Sequence, residues 1–250
     1  MEFDLKGRIA FVTGATSGLG RHFAGVLARA GAGVAISGRR EDRLQSLCKE
    51  IETAGGTCAD IVLDVTQADQ IAPALDKAQS ALGAIDILVN NAGMSANGPV
   101  ADIPIAEFDA VMSTNLRGPF LLAQEIGKRM IARGQGGRII NIASITAFRV
   151  LQGSAPYCIS KAALAMMTQC MAREWARYDI NVNAICPGFI ETELNHEWFE
   201  SEKGKAQIKS FPKRHLQKPE DLDSTLLLLA SDASRAITGA LFNVDEAQSL

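Results

Sequence analysis

The chain alternates short apolar runs, rich in β-branched residues, with longer segments of helical periodicity. One run, Ile85-Asp-Ile-Leu-Val89, is nearly continuous instead of alternating. Strands of a parallel sheet have this pattern because helices bury both of their faces. The pattern predicts seven strands, at Arg8–Thr13, Gly33–Ser37, Thr57–Leu63, Ile85–Asn90, Gly137–Ala143, Ile180–Cys186 and Ala240–Val244.

Six helices are predicted between these strands, at Leu19–Ala30, Glu41–Ala54, Gln67–Leu82, Ile105–Arg133, Pro156–Tyr178 and Glu220–Ser231. Alternating strands and helices favour right-handed βαβ units. We therefore expect an α/β protein with a single-domain, doubly wound parallel sheet of about seven strands and helices on both faces, the Rossmann fold. Ligands bind such a sheet beyond the carboxyl ends of its strands.

Residues 189–218 interrupt the alternation. They are polar, have no clear period, and carry Trp198, Phe199 and Phe211. A structureless segment of this length is uncommon in a compact domain and is often functional. We interpret it as a lid over the substrate, with a surface excursion as the alternative.

The composition is that of an ordinary globular chain: 250 residues, 47% hydrophobic and 21% charged. This is enough apolar mass for one core, so we expect one domain over residues 1–250. The net charge of −3 offers no basic surface for nucleic acid or an anionic membrane. Neither a signal-like start nor an apolar run long enough to span a bilayer is evident. A cytoplasmic location and a small-molecule partner are expected.

The cysteines and histidines suggest neither a disulfide framework nor a metal site. The five cysteines are Cys48, Cys58, Cys158, Cys170 and Cys186, and no two of them form a CxxC pair. An odd number without such pairs favours reduced, cytosolic thiols. The three histidines, at positions 22, 196 and 215, form no ligand-like cluster, so no metal is expected.

Three glycines, Gly14, Gly18 and Gly20, follow the first predicted strand and open the first helix. Glycine lets a backbone approach a pyrophosphate closely, and a helix N-terminus supplies amides and partial positive charge. The spacing GxxxGxG differs from the generic GxGxxG, and a turn that only packs helix on strand is the alternative. The strand–turn–helix context favours dinucleotide binding.

The second strand is followed by Arg39 and Arg40, with no acid before Glu41. A carboxylate here would bind the free 2′-hydroxyl of NAD, whereas a guanidinium binds a 2′-phosphate. Arg39, and Arg40 less directly, therefore favour NADP(H) as the cofactor. NAD(H) stays possible, and a solvated pair of arginines is the alternative.

Tyr157 and Lys161 are four residues apart, so both project from one helix face. An ammonium beside a phenol lowers the phenol's pKa, which lets Tyr157 exchange a proton with a carbonyl oxygen. Ser144, at the end of a predicted strand, can polarise the same oxygen. Taken singly, each residue has an ordinary structural alternative. Tyr178, the other tyrosine, has no lysine four residues on and is expected to be structural.

The order of these motifs resembles the classical short-chain dehydrogenase/reductase family across nearly the whole chain. The motifs are TGxxxGxG, Asn90–Gly93 (NNAG), Ser144, Tyr157–Lys161 (YxxxK) and Pro187–Gly188. The resemblance, nearest to 3-oxoacyl-acyl-carrier-protein reductases and gluconate 5-dehydrogenases, implies hydride transfer between NADP(H) and a secondary alcohol or ketone. It implies that Lys161 holds the nicotinamide ribose and that Asn115 positions a relay water. The alternatives are an NAD-dependent alcohol dehydrogenase and a nucleotide-binding protein without turnover.

The resemblance also implies a cofactor site along the strand ends. Asp64 would reach the adenine amino group beside Val65, although capping the helix before Thr66 is nearly as good an interpretation. The other implied contacts are Thr13, Gly14, Ser17, Gly18, Leu19 and Gly20 at the pyrophosphate, Asn91, Ala92 and Gly93 at the adenosine ribose, and Pro187, Gly188, Ile190 and Thr192 at the nicotinamide.

Two departures from the family pattern are visible. The chain end reads Val-Asp-Glu246-Ala247 where the family reads Val-Asp-Gly-Gly, which is expected to change the terminal turn. Family members assemble as tetramers through the last strand and two long helices, so a homo-oligomer, tetramer or dimer, is implied. Ser17 stands where many NADP-using relatives have a basic residue, leaving Arg39 to set the preference. Specificity is expected from residues 94–99, 145–154 and the lid, where Arg149 would meet an anion or be solvated.

Overall fold

The computed structural model describes residues 3–191 and 195–250. Within these residues seven strands form one sheet in which every pair is parallel, in the order β3-β2-β1-β4-β5-β6-β7. The strands are β1 Ile9–Thr13, β2 Gly33–Gly38, β3 Thr57–Val62, β4 Ile87–Asn90, β5 Gly137–Ile142, β6 Ile180–Pro187 and β7 Leu241–Val244. Their order reverses between β1 and β4, which defines a doubly wound sheet.

The helices cover both faces of this sheet. In the described part of the chain they are α1 Gly18–Arg29, α2 Glu41–Thr53, α3 Ala68–Leu82, α4 Ile105–Met112, α5 Gly118–Arg133, α6 Ala155–Trp175, α7 His196–Glu200, α8 Glu202–Ser210 and α9 Asp223–Ala230. Successive β1 residues point to opposite faces, so Ala10 and Val12 pack with α1, α2 and α9, whereas Phe11 packs with α3, α5 and α6. The α/β doubly wound prediction is confirmed.

The long helix predicted over residues 105–133 is interrupted. A π-helical turn, Ser113–Arg117, separates α4 from α5. At its end, Gly118 lies so close to Val65 that a Cβ would stand 2.9 Å from the Val65 carbonyl oxygen. The pattern missed the turn because the backbone stays helical and the apolar periodicity continues through it.

The predicted lid, residues 189–218, was expected to be structureless, but it contains α7 and α8. Its two ends pair, since the Gln217 amide donates to the Phe189 carbonyl at 3.0 Å. Phe189 stacks on Phe211 with ring centroids 5.2 Å apart and meets Phe199 edge-on at 6.0 Å. Helices of five and nine residues contain too few turns for a visible period, which explains the error.

The terminal turn keeps a conformation that glycine favours without having glycine. Glu246 and Ala247 both have left-handed backbones, with φ of 51° and 65°. The Asp245 carboxylate accepts hydrogen bonds from the Ala247 amide at 3.1 Å and the Ser249 amide at 2.8 Å. The substitution therefore does not abolish the tight turn; it places two side chains in a backbone region that costs L-residues free energy.

Cys48 and Cys58 form a disulfide, so the expectation of reduced thiols throughout is wrong. Cys48 lies on the buried face of α2, which packs on β3, where Cys58 lies. Their Cα atoms are 5.3 Å apart, within the range that a disulfide spans. Counting cysteines could not reveal this proximity, and the disulfide removes one argument for a cytosolic location.

No helix within residues 3–191 and 195–250 is long and apolar enough to cross a membrane. The same part of the chain holds no group of three histidine, cysteine or acidic residues suited to a metal ion.

Candidate active site

The sequence motifs meet at one edge of the sheet. Strands β1, β4, β5 and β6 are neighbours and parallel, so their carboxyl ends lie side by side. The glycine turn follows β1, Asn91–Gly93 follows β4, Ser144 follows β5 and Gly188 follows β6. Because β1 and β4 flank the switch in strand order, this edge is where a doubly wound sheet binds its ligand.

Thr13 joins the glycine turn to the loop after β4. Its Oγ1 accepts hydrogen bonds from the amides of Asn91 and Ala92, both at 3.0 Å. A Cβ at Gly14 would stand 2.8 Å from the Ala92 Cα, and one at Gly20 would stand 2.4 Å from the Asn91 Nδ2. Gly14 and Gly20 are therefore needed for packing within the chain. This is the role that the alternative interpretation, a turn that packs helix on strand, gave them.

Gly18 and Ser17 leave the start of α1 suited to an anion. Gly18 is exposed and has a left-handed backbone, with φ of 52°. Ser17, the residue before the helix, makes no side-chain hydrogen bond to the first turn. The first amides of a helix need an acceptor, and a pyrophosphate is one that such termini commonly bind. This uncapped terminus fits a dinucleotide.

Arg40, more than Arg39, lies over the glycine turn. Its Nη2 donates to the Thr16 Oγ1 at 2.7 Å and to the Ser17 Oγ at 2.9 Å. Arg39 is exposed on the same loop. The sequence favoured Arg39 and offered no basic residue at position 17 to assist it. The structure instead brings the Arg40 guanidinium to Ser17. Thr16 was missed, since nothing in its position marks it as a partner of Arg40.

Asp64 holds the turn before α3 and is not the helix cap given as the alternative, because the residue that precedes α3 is Gln67. Its Oδ1 accepts hydrogen bonds from the amide of Thr66 at 3.0 Å and from the Thr66 hydroxyl at 2.8 Å. Val65 between them is buried beside Gly118. These bonds fix the carboxylate at the end of β3, and a contact with adenine stays a prediction.

Lys161 is buried beside Tyr157 in the first turns of α6. Lys161 is only 4% exposed, and its Nζ lies 5.5 Å from the centroid of the Tyr157 ring. Nζ donates a hydrogen bond to the Ile142 carbonyl oxygen at 2.7 Å. An ammonium has three N–H donors, so two of them have no protein acceptor among the described residues. Ribose hydroxyls are acceptors of the right chemistry for them.

The two catalytic candidates have opposite pKa shifts. Burial raises the pKa of Tyr157 to about 12, although the hydrogen bond with Ser144 opposes this rise. Burial lowers the pKa of Lys161 to about 8. The expected lowering of the Tyr157 pKa by Lys161 is thus wrong for the chain alone, because burial raises that pKa and the group that opposes the rise is Ser144. At neutral pH Tyr157 carries its proton and can donate it.

Ser144 touches Tyr157 and begins a 3-10 turn, Ile145–Ala147. Its Oγ accepts a hydrogen bond from the Thr146 amide at 3.1 Å, which fixes the side chain. The serine O–H can then donate toward the tyrosine or a substrate oxygen. The structure therefore brings Ser144, Tyr157 and Lys161 together as the sequence predicted.

Asn115 links the loop after β4 to the catalytic helix. Its Oδ1 accepts from the Met94 amide at 2.8 Å, and its Nδ2 donates to the Met94 carbonyl at 2.8 Å and the Ser160 Oγ at 3.0 Å. The Ser160 hydroxyl donates to the Tyr157 carbonyl at 2.7 Å. The recorded partners of Asn115 are thus protein groups, and the relay water stays a prediction. Ser160 was missed although it lies inside the YxxxK motif.

The turn after β6 is held by two glutamines that no motif marked. The Gly188 amide donates to the Gln217 Oε1 at 3.0 Å, and the Phe189 amide donates to the Gln248 Oε1 at 2.7 Å. The lid and the terminal segment thus meet at the predicted nicotinamide end, where Pro187 and Ile190 are buried. Thr192, assigned to the same end, lies outside the described residues.

Comparison with known proteins identifies the family. Residues 8–203 match the family model described as short chain dehydrogenase, and the chain belongs to this family. With the Ser144, Tyr157 and Lys161 arrangement beyond the carboxyl end of β5, this defines an oxidoreductase that acts on CH–OH groups with a nicotinamide dinucleotide.

Several relatives align over almost their full length. An NAD-dependent glycerol dehydrogenase from Listeria innocua is 36% identical over 98% of this chain and 94% of its own. A 3-oxoacyl-(acyl-carrier-protein) reductase from Thermotoga maritima is 35% identical over 96% and 97%. The crystal structure of a gluconate 5-dehydrogenase from Burkholderia cenocepacia, in complex with NADP and tartrate, has a TM-score of 0.95 at 36% identity, covering 99% and 97%.

Proposed function

We propose that this protein transfers a hydride between NADP(H) and a secondary alcohol or ketone, with Tyr157 as the acid and base. The observation that carries the proposal is the contact of Ser144 with Tyr157 beside the buried Lys161. This arrangement follows β5, the strand next to β4, and so lies beside the point where the sheet order reverses and where a dinucleotide is expected to bind.

Each catalytic side chain has a separate task in ketone reduction. When bound, the nicotinamide supplies or accepts the hydride. The Tyr157 hydroxyl gives its proton to the carbonyl oxygen, and the Ser144 hydroxyl polarises that oxygen. Lys161 holds the ribose through its two remaining N–H groups and stabilises the tyrosinate that forms. Asn115 and Ser160 fix the loop after β4 and the turn that carries Tyr157.

The proposed cofactor site extends from the glycine turn to the turn after β6. It comprises Thr13, Gly14, Ser17, Gly18, Leu19, Gly20, Arg39, Arg40, Asp64, Val65, Asn91, Ala92, Gly93, Tyr157, Lys161, Pro187, Gly188, Ile190 and Thr192. NADP(H) is the preferred cofactor in this proposal because the Arg40 guanidinium lies over Thr16 and Ser17. A 2′-phosphate is a dianionic acceptor that such a guanidinium binds.

The relatives point to both cofactors, so the preference is tested directly. The Burkholderia cenocepacia structure contains NADP, whereas the Listeria innocua enzyme is described as NAD-dependent. We expect kcat/KM to be higher with NADPH than with NADH for any ketone that is reduced. A clear preference for NADH would overturn the proposed role of Arg40 and favour an NAD-dependent alcohol dehydrogenase.

The substrate is held by loops of a single domain, residues 1–250, and by the lid over residues 189–218. Loops after β4 and β5 and the lid surround the strand ends, and the lid has its own aromatic cluster. The names of the relatives suggest sugar-acid ketones and 3-oxoacyl thioesters as substrates. A panel of both classes, scored by NADPH oxidation, tests the proposal. Tight NADPH binding without oxidation by any ketone would favour a nucleotide-binding protein.

We also propose a homo-oligomer, a tetramer or dimer, in the cytoplasm. Large apolar side chains are exposed on the two long helices, Phe120 on α5 and Ile159 and Met166 on α6. Exposed apolar faces of this kind favour burial against another copy. Light scattering of the purified protein tests the first claim, with a monomer as the contrary result. Cell fractionation tests the second, with a membrane or secreted fraction as the contrary result.

A further inference from the structure

A cavity of about 190 Å³ lies beside the active site, between the turn after Ser144, the lid and the terminal segment. Its walls include Ile145 and Thr146, which directly follow Ser144, and Phe189, which directly follows Gly188. The cavity therefore begins one residue away from two parts of the active site. Since a liquid water molecule takes about 30 Å³, this space suits one end of a small substrate.

Two buried polar atoms of the cavity's lining residues have no hydrogen-bond partner within residues 3–191 and 195–250. They are the Thr146 Oγ1 and the Gln248 Nε2, and Gln248 is only 2% exposed. The other side-chain atom of Gln248, Oε1, is fixed by the Phe189 amide at 2.7 Å. Buried polar groups are normally satisfied, because an unpaired one costs about 1–3 kcal/mol. A threonine hydroxyl and a glutamine amide nitrogen are both hydrogen-bond donors.

Arg149 adds positive charge to the same wall. One of its guanidinium nitrogens, Nη1, donates to the Gln248 carbonyl, so the side chain is anchored beside the unpaired amide. A guanidinium has five N–H donors, most of which are left for a ligand. None of the side chains of the described residues that line the cavity is acidic. The carboxylate of nearby Glu246 is paired with Lys213 at 2.7 Å.

We propose that this cavity is a carboxylate-binding subsite, in which Arg149, Gln248 and Thr146 hold the acid end of the substrate. The donor set is positive and consists of an arginine fork, an amide N–H and a hydroxyl, which match the lone pairs of a carboxylate. The inference rests on the proposed function and narrows its substrate class to hydroxy acids and keto acids. Tyr157 and Ser144 would act on a carbonyl further along the same molecule.

Binding is measured first, because it does not require turnover. D-gluconate and D-sorbitol differ only in having a carboxylate or a hydroxymethyl group at one end. We expect calorimetry with saturating NADPH to give at least a tenfold tighter affinity for gluconate, since a charge-assisted hydrogen bond contributes about that much. Arg149→Gln should reduce the gluconate-to-sorbitol preference about tenfold, and Thr146→Val should reduce it less.

Lys209→Gln is the matched control, because Lys209 is an exposed cation on α8 that does not line the cavity. It should retain the preference for gluconate. Equal affinity for the two ligands in the wild type, no binding of either, or an unaltered preference in Arg149→Gln would each overturn the subsite.

Reduction of 5-keto-D-gluconate and L-sorbose, which differ in the same single group, separates the two proposals. A higher kcat/KM for the keto acid than for L-sorbose, with this difference lost in Arg149→Gln, supports both the subsite and the hydride-transfer function. Selective gluconate binding without turnover of any ketone leaves the subsite standing and counts against the hydride-transfer function. Equal kcat/KM for both ketones supports hydride transfer and overturns the subsite.

Discussion

Replacing Lys161 with methionine is expected to stabilise the fold at neutral pH while removing the ammonium from the active site. Lys161 is 4% exposed, and burial lowers its pKa from 10.5 to about 8. A lowered lysine pKa means that the folded protein holds the charged form at a cost. Methionine fills a similar volume without the charge.

The cost follows from the size of the pKa shift. One pKa unit corresponds to about 1.4 kcal/mol, so lowering the pKa from 10.5 to about 8 costs about 3 kcal/mol. Methionine removes this cost but leaves the Ile142 carbonyl without its lysine donor, which destabilises the variant by about 1 kcal/mol. The net expectation is a variant about 2 kcal/mol more stable than the wild type at pH 7.

The pH dependence has a definite sign. Below pH 8 Lys161 is charged in both the folded and the unfolded state, so the full penalty applies. Between pH 8 and 10.5 the unfolded state binds more protons, so the stability of the wild type rises with pH. About 2 kcal/mol of the penalty should be gone by pH 9.5. The advantage of the methionine variant should therefore shrink by that amount.

Urea unfolding at pH 7 and pH 9.5, followed by tryptophan fluorescence at one fixed protein concentration, measures both effects. Lys209→Met, which replaces an exposed lysine on the lid, is the control and should show no pH-dependent difference from the wild type. A Lys161→Met protein that is less stable than the wild type at pH 7, or whose advantage does not change with pH, would refute the reasoning.

Three further substitutions test other parts of the structure. Arg40→Ala should raise KM for NADPH about tenfold with little effect on KM for NADH, because the Arg40 guanidinium bonds to the glycine turn. Arg39→Ala should raise KM for NADPH by a smaller factor. Initial rates measure both effects, and an equal rise in KM for the two nucleotides would contradict the role of Arg40. Ala247→Gly should raise the free energy of unfolding by about 1 kcal/mol by relieving a left-handed backbone; destabilisation in urea would contradict it. Ser160→Ala should lower kcat for ketone reduction about tenfold by freeing the Tyr157 turn from Asn115; an unchanged kcat in steady-state assays would exclude that positioning role.

The order of strands and helices was readable from the sequence because it depends on local apolar patterns. The differences lie at the ends of elements and at one break inside a predicted helix. The predicted fourth strand begins at Ile85, but β4 begins at Ile87, although the backbone of Asp86 still bonds to Ile9 and Arg138 on the neighbouring strands. The break at Ser113–Arg117 was hidden because a π turn stays helical.

The candidate catalytic pair Tyr157 and Lys161 could be predicted because its spacing is set by one helix, whereas the groups that support the site lie far apart in the chain. Tyr157 and Lys161 needed only an i, i+4 relation. Gln217 and Gln248, which hold the turn after β6, lie 29 and 59 residues from the amides they bind. The pKa of Tyr157 could not be anticipated either, since it depends on how much water the folded site excludes.

The role of Tyr157 as proton donor is tested by the rate of hydride transfer in Tyr157→Phe, measured with NADPH and the best ketone from the substrate panel. We expect kcat to fall about 10²- to 10⁴-fold, because the substrate oxygen loses its proton donor. NADPH affinity, measured by fluorescence, should stay close to that of the wild type, since Lys161 and the glycine turn are untouched. A Tyr157→Phe protein as active as the wild type would contradict the account.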